Sequence, residues 1–174
     1  KKTDSNKEIA KRMERYNGFA RSLFGDDYEV GKVKVAKGYK DPRKITMLKL
    51  EEEFKLEQQA RGNSEDTIKT YSKHFHKLYD FLGMQYLKQS PEIVDYVLEH
   101  SEEYGTMREI GASMPVLVLQ LDNFIAYYQR YLREVKKNSE QTIISSMRHA
   151  RAIIYFAQEK KWIEKFSIKV RDKE

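Results

Sequence analysis

Two short stretches carry the residue types from which a grip on a polyanion can be built. Asn63-Ser64-Glu65-Asp66-Thr67-Ile68 is nearly repeated 75 positions later as Asn138-Ser139-Glu140-Gln141-Thr142-Ile143. In each, a serine precedes acidic or amide residues, then a threonine, then a long segment with apolar residues every three or four positions. That is how a helix start is written: the serine oxygen accepts from an unpaired first-turn amide, and early carboxylates suit the positive end of the dipole. Lys69, Lys73, His74 and Lys77 follow the first start, and Arg148, His149 and Arg151 follow the second. They alternate with apolar faces made of Ile68, Tyr71, Phe75, Leu78 and Leu82, and of Ile143, Met147, Ala150, Ile154 and Ala157. The chemistry implied is charge neutralisation. Two sister helices, apolar beneath and cationic above, turn their amino ends and positive flanks toward one nucleic-acid backbone.

Other chemistry finds little support. The four histidines are His74, His76, His100 and His149. His74 and His76 are two apart, so on a helix they point to different sides and do not form a metal pair. Cysteine is absent, which removes disulfides, thiol nucleophiles and thiolate-bound zinc. There is no glycine-rich phosphate loop, no G-x-S-x-G and no H-E-x-x-H. Glu51-Glu52-Glu53 reads as solvated, because consecutive helical residues do not face one another. The expectation is a chain with no cofactor, metal or small-molecule substrate, and no catalysis of its own.

The elements that position the two stretches follow from composition and periodicity. A chain of 174 residues suits one domain with an appendage, or two very small domains, and can bury a core without staples. With only 8 glycines and 3 prolines, helix is favoured over a many-turned β fold. The formal charge of +6 is segregated: Lys88 to Glu109 is acidic, while Lys32 to Lys44, the first repeat helix and the residues from Lys136 onward are basic. No apolar run approaches the roughly 20 residues that cross a bilayer, so a cytoplasmic protein without membrane contact is expected.

In order, Lys7 to Phe24 reads as a helix, Tyr28 to Ala36 as a short strand, and Lys37 to Lys44 as a basic linker, giving an N-terminal extension over 1–44. Ile45 to Arg61 reads as a helix burying Leu48, Leu50, Phe54 and Leu56. The first repeat helix runs to Leu82 and ends at Gly83. A helix from Pro91 to His100 follows, then an irregular region. Pro115 through Lys137 is a helix broken near Asp122, with Leu121, Phe124, Ile125, Tyr128 and Leu132 inward. The second repeat helix extends to Lys160, and Trp162, Ile163, Phe166 and Ile168 dock behind it. The fold class is all-α, a small helical bundle over 45–168.

Arg61-Gly62-Asn63-Ser64 through Thr67-Ile68, with Tyr71 to Phe81, resembles the core-binding, SAM-like N-terminal domain of tyrosine recombinases, the phage-type integrases. So do Leu119, Leu121-Asp122 through Ile125 and Tyr131-Leu132, then Asn138-Ser139 through Thr142-Ile143, Ile153, Tyr155-Phe156-Ala157 and Lys161-Trp162-Ile163. The likeness spans Met47 to Ile168. Gln85 to Met114 departs from it as an acidic insertion, read as a protein contact or plain packing. The family's catalytic arginines, His-x-x-Arg motif and tyrosine belong to a following domain, and no histidine here has arginine three residues on. Residues 169–174 are therefore expected to open a linker to a catalytic domain outside this chain.

The resemblance implies a clamp on double-stranded DNA at a recombination half-site, shared with other protomers of the recombinase. Ser64, Thr67, Ser139 and Thr142 would meet phosphates at the helix starts. Lys69, Lys73, Lys77, Lys137, Arg148 and Arg151 would neutralise charge. Thr70, His74, Ser145 and His149 would approach base edges from the major groove. The competing expectation is a helical protein-interaction module using a surface of Tyr127, Tyr128 and Tyr131 or the acidic insertion, or a helical regulator of transcription.

Overall fold

The computed structural model describes residues 35, 37–42, 44–88, 107–120 and 124–170. The expected helix at Lys7 to Phe24, nearly all of the expected strand, and the expected helix at Pro91 to His100 lie outside them.

The fold is an all-α bundle. Helix α1 spans Met47–Ala60, α2 Glu65–Lys88, α3 Met107–Ala112, α4 Phe124–Arg130 and α5 Glu140–Glu159. A 3-10 turn, Val116–Gln120, precedes α4, and a π-helical turn, Tyr131–Val135, continues it.

Helix α1 begins because Thr46 caps it, its hydroxyl oxygen accepting from the Lys49 amide at 3.1 Å. It buries Met47, Leu50, Phe54 and Gln58, while Leu48 and Leu56 stay 47% and 60% exposed. The expected leucine face is thus half wrong. The leucines offer two overlapping helical stripes, and the chosen one is set where the Met47 amide donates to the Met114 carbonyl at 2.8 Å, turning Met47 inward. The end of α1 is a Schellman turn: Gly62 takes a left-handed backbone (φ +76°), its amide donates to Gln59, and the Asn63 amide donates to Gln58.

Helix α2 does not stop at Gly83. It runs on to Lys88, with Gly83 buried in its interior. Its inner face meets three partners. Phe75 lies near Phe54 of α1, and Phe81 packs among Phe124, Tyr128 and Tyr131 at centroid distances of 5.2–5.7 Å. The third partner is α3, which comes so close that a Cβ on Gly111 would lie 2.0 Å from the Tyr79 carbonyl oxygen. Arg108 adds a two-point contact to Asp80 at 3.1 Å. The end of the expected insertion is therefore part of the bundle: Ile110 and Met114 are core residues.

The expected break near Asp122 and the expected inward Leu121 lie outside the described residues; Val116 to Leu119, a 3-10 turn where helix was expected, is buried throughout. Phe124, Tyr128 and Leu132 face inward with Tyr131, so the expected tyrosine surface does not form; Tyr127 alone of the three is only partly buried. Burial raises the Tyr128 hydroxyl well above the ordinary tyrosine range. The tail docks as expected: Trp162, Ile163 and Ile168 are buried, and the Gln158 side-chain amide donates to the Phe166 carbonyl at 3.0 Å. The expected linker is tied to the bundle at two points: the Lys40 amide donates to the Lys161 carbonyl, and the Pro42 carbonyl accepts from Leu117.

Glu51 is also not a solvated charge. Its carboxylate accepts from the Tyr79 hydroxyl at 2.7 Å, and that hydroxyl also lies 3.2 Å from the Met47 carbonyl. Burial, with the Glu51 hydrogen bond behind it, raises the Tyr79 hydroxyl far above its ordinary range.

Candidate nucleic-acid interface

The two repeated starts fold into the same local structure. Ser64 Oγ accepts from the Thr67 amide at 3.2 Å and pairs with the Thr67 hydroxyl at 3.0 Å. Ser139 Oγ accepts from the Thr142 amide at 3.2 Å and pairs with the Thr142 hydroxyl at 3.0 Å. The likeness extends backward beyond the starts. Lys137, 75 positions after Gly62, takes the same left-handed backbone (φ +54°), and the Asn138 amide donates to Leu132 as Asn63 donates to Gln58. The second loop is one residue wider because a π-helical turn feeds it. Each unit is a helix, a left-handed residue, an asparagine, a serine cap and a second helix. Asn63 further donates from its side chain to Gln58 Oε1. The asparagines open the repeated stretches in the sequence; the left-handed backbone before each is seen only in the fold.

Helices α2 and α5 meet at like positions of the two units. The His74 and His149 rings stack at 3.9 Å and 11°, and Tyr71 stands edge-on to His149 at 5.1 Å. Lys77 Nζ donates to Ser146 Oγ at 3.1 Å. Position 77 thus faces 146 and position 74 faces 149, so the helices pass in opposing senses. Phe54 agrees, touching Tyr71 early in α2 and Phe156 late in α5. The amino ends therefore do not converge as expected. Ser64 and Ser139 each lie ten residues from the histidine stack, about 15 Å along their own helix, on opposite sides of the crossing.

Like helices that cross at like positions in opposing senses are related by an approximate two-fold axis through the contact. Such an axis carries Lys73 onto Arg148 and Thr70 onto Ser145 at equal height. All four are exposed, as are Ser64, Thr67, Lys69, Lys137, Ser139 and Thr142. The Thr70 hydroxyl donates to the Asp66 carbonyl at 2.9 Å, leaving its lone pairs outward. Arg151 and Lys77 are half-buried, and burial lowers the Lys77 ammonium from its usual range, with Lys136 and Lys73 adding to the effect.

His74 is a correction. It is 7% exposed, inside the helix contact, and its Nδ1 has no hydrogen-bond partner. Burial first, then the charges of His149, Lys77 and Lys73, lower it to about 3, so it is neutral near pH 7. It holds the crossing together and reaches no base edge. Ser146, fully buried within the apolar face of α5, is a residue that reading for cations and caps passes over. A small polar residue in an apolar stripe is the signal that another helix comes close there.

Among the described residues there is no group of three or more His, Asp or Glu placed to hold a metal ion, and no helix long and apolar enough to cross a membrane. No family model, no curated protein and no solved structure matches this chain.

Proposed function

We propose that this chain binds double-stranded DNA through α2 and α5, as the core-binding domain of a site-specific tyrosine recombinase. One observation carries the reading: two helices with matching serine caps cross at like positions, and their matched positions Lys73 and Arg148, Thr70 and Ser145, are all exposed. The separation of the caps selects the ligand class. Two amino ends up to about 30 Å apart cannot share one small anion. A duplex carries a negative charge for every ~1.7 Å of its axis and offers phosphates to both.

In this reading Ser64, Thr67, Ser139 and Thr142 present hydroxyls and first-turn amides to phosphates, and Lys69, Lys73, Lys137, Arg148 and Arg151 neutralise them. Thr70, Ser145 and His149, near the crossing, face the groove. The polypeptide clamps one side of a half-site beside other protomers, in the cytoplasm, while strand cleavage belongs to a catalytic domain. The alternative of a protein-interaction module loses one of its two bases, the tyrosine surface, since Tyr128 and Tyr131 are buried.

Fluorescence anisotropy of a labelled duplex across a salt series tests this. Five cations on phosphates give a log–log slope of about −4 to −5. Binding that ignores salt, or no binding at about 50 mM salt, where phosphate attraction is strong, overturns the reading.

A further inference from the structure

His149 is held on three sides. His74 stacks on its plane, Tyr71 stands against it edge-on, and its Nδ1 lies 2.7 Å from the Ser145 carbonyl oxygen. A carbonyl only accepts, so Nδ1 carries the hydrogen, and in the neutral form of the ring Nε2 is a lone-pair acceptor. The ring is half-buried, with exposed Ser145 and Arg148 beside it and Thr70 and Lys73 across the crossing. One fixed acceptor thus stands between two sets of groups suited to phosphates.

We infer that His149 is the specificity-determining residue of this surface, its Nε2 accepting from an exocyclic amino group of cytosine or adenine in the major groove. The inference rests on the reading that α2 and α5 face a duplex. The physical reason is pre-organisation: a ring already stacked and hydrogen-bonded loses little freedom when it meets a base, unlike the exposed lysines around it. Cytosine N4 and adenine N6 are the major-groove donors; guanine and thymine offer acceptors there. An acceptor with a fixed direction distinguishes the two classes. The phosphate contacts cannot, because every sequence has the same backbone.

The test is selection of bound duplexes from a randomised pool by the full chain, repeated with His149→Phe, which keeps a ring for the stack but has no nitrogen. The parent is expected to enrich one base pair at one position, and His149→Phe to lose that preference while keeping its salt slope. A second measurement needs no variant. In the selected duplex, a base analogue lacking the amino group should weaken parent binding about five- to a hundredfold, the range of a good base contact. The same analogue should leave His149→Phe binding unchanged. Identical selections by parent and variant would overturn the inference and leave the DNA-binding reading standing. A duplex carrying the analogue that binds the parent as tightly as the natural duplex would overturn the acceptor role. Absence of any duplex binding would overturn both.

Discussion

Lys137 holds the left-handed backbone that Gly62 holds 75 positions earlier, and the same asparagine-serine pair follows each. A side chain in that conformation crowds the carbonyl oxygen; glycine does not. Lys137→Gly should raise stability by roughly 0.5–1 kcal/mol. Gly62→Ala has open space around the new Cβ, so its cost of about 1 kcal/mol is conformational alone. Urea denaturation of both variants checks the pair; equal and opposite small shifts are expected, and a destabilised Lys137→Gly would contradict the equivalence.

The close approach of Gly111 to the Tyr79 backbone predicts a larger effect. A methyl group there meets carbonyl and Cα atoms within 2.6 Å, and backbone cannot step aside as a flexible side chain does. Gly111→Ala should cost about 3 kcal/mol, at the upper end for overpacking. Thermal unfolding would show a markedly lower midpoint. An unchanged midpoint would mean that α3 does not pack on α2 at this register.

Tyr79 joins α1 to α2 through its hydroxyl. Tyr79→Phe removes the bond to the Glu51 carboxylate and should cost about 1.5–3 kcal/mol. Once Glu51 is Gln, the same change should cost less, since the acceptor has lost its charge. A double-mutant cycle by urea denaturation measures the coupling. Additive costs would exclude a direct interaction.

The neutral, buried His74 makes stability depend on pH with a definite sign. Its folded pKa, about 3, lies below the unfolded value of 6.5. Between those values the unfolded chain takes up a proton that the folded chain refuses, so His74's contribution is present above pH 6.5 and is lost as pH falls. The slope has an upper limit of about 1.4 kcal/mol per pH unit, reached only where the unfolded chain is fully protonated at this site and the folded chain is not. Urea midpoints measured at about pH 7 and about pH 5, on either side of the ordinary histidine range, should fall more for the parent than for His74→Phe. Parallel falls would show that His74 titrates normally.

Lys73 and Arg148 are sister positions on the proposed duplex face. Reversing both, Lys73→Glu with Arg148→Glu, should weaken binding to every sequence and flatten the salt slope by about 2, at ~0.9 for each phosphate no longer neutralised. Circular dichroism of the variant confirms the fold. Parent-like binding by a folded variant would clear this face of a role.

The sequence by itself determined the helical class, the two serine caps and the apolar faces of α2 and α5. Each depends on neighbours within one or two turns: a cap needs a hydroxyl three residues before an amide, and an amphipathic face needs only a period. It did not determine where those faces go. Leu48 and Leu56 looked as buriable as Leu50 and Phe54, and the Met47 contact with Met114, 67 residues away, decided between the stripes. His74 had the spacing of a surface residue beside Lys73 and Lys77, and became core because α5 lays His149 over it. Glu51 matched its two acidic neighbours until Tyr79 reached it across 28 residues. The crossing itself, which sets the two amino ends on opposite sides of a shared face, is a relation between helices. Helical periodicity records which side of a helix is apolar, but not the direction in which its partner runs.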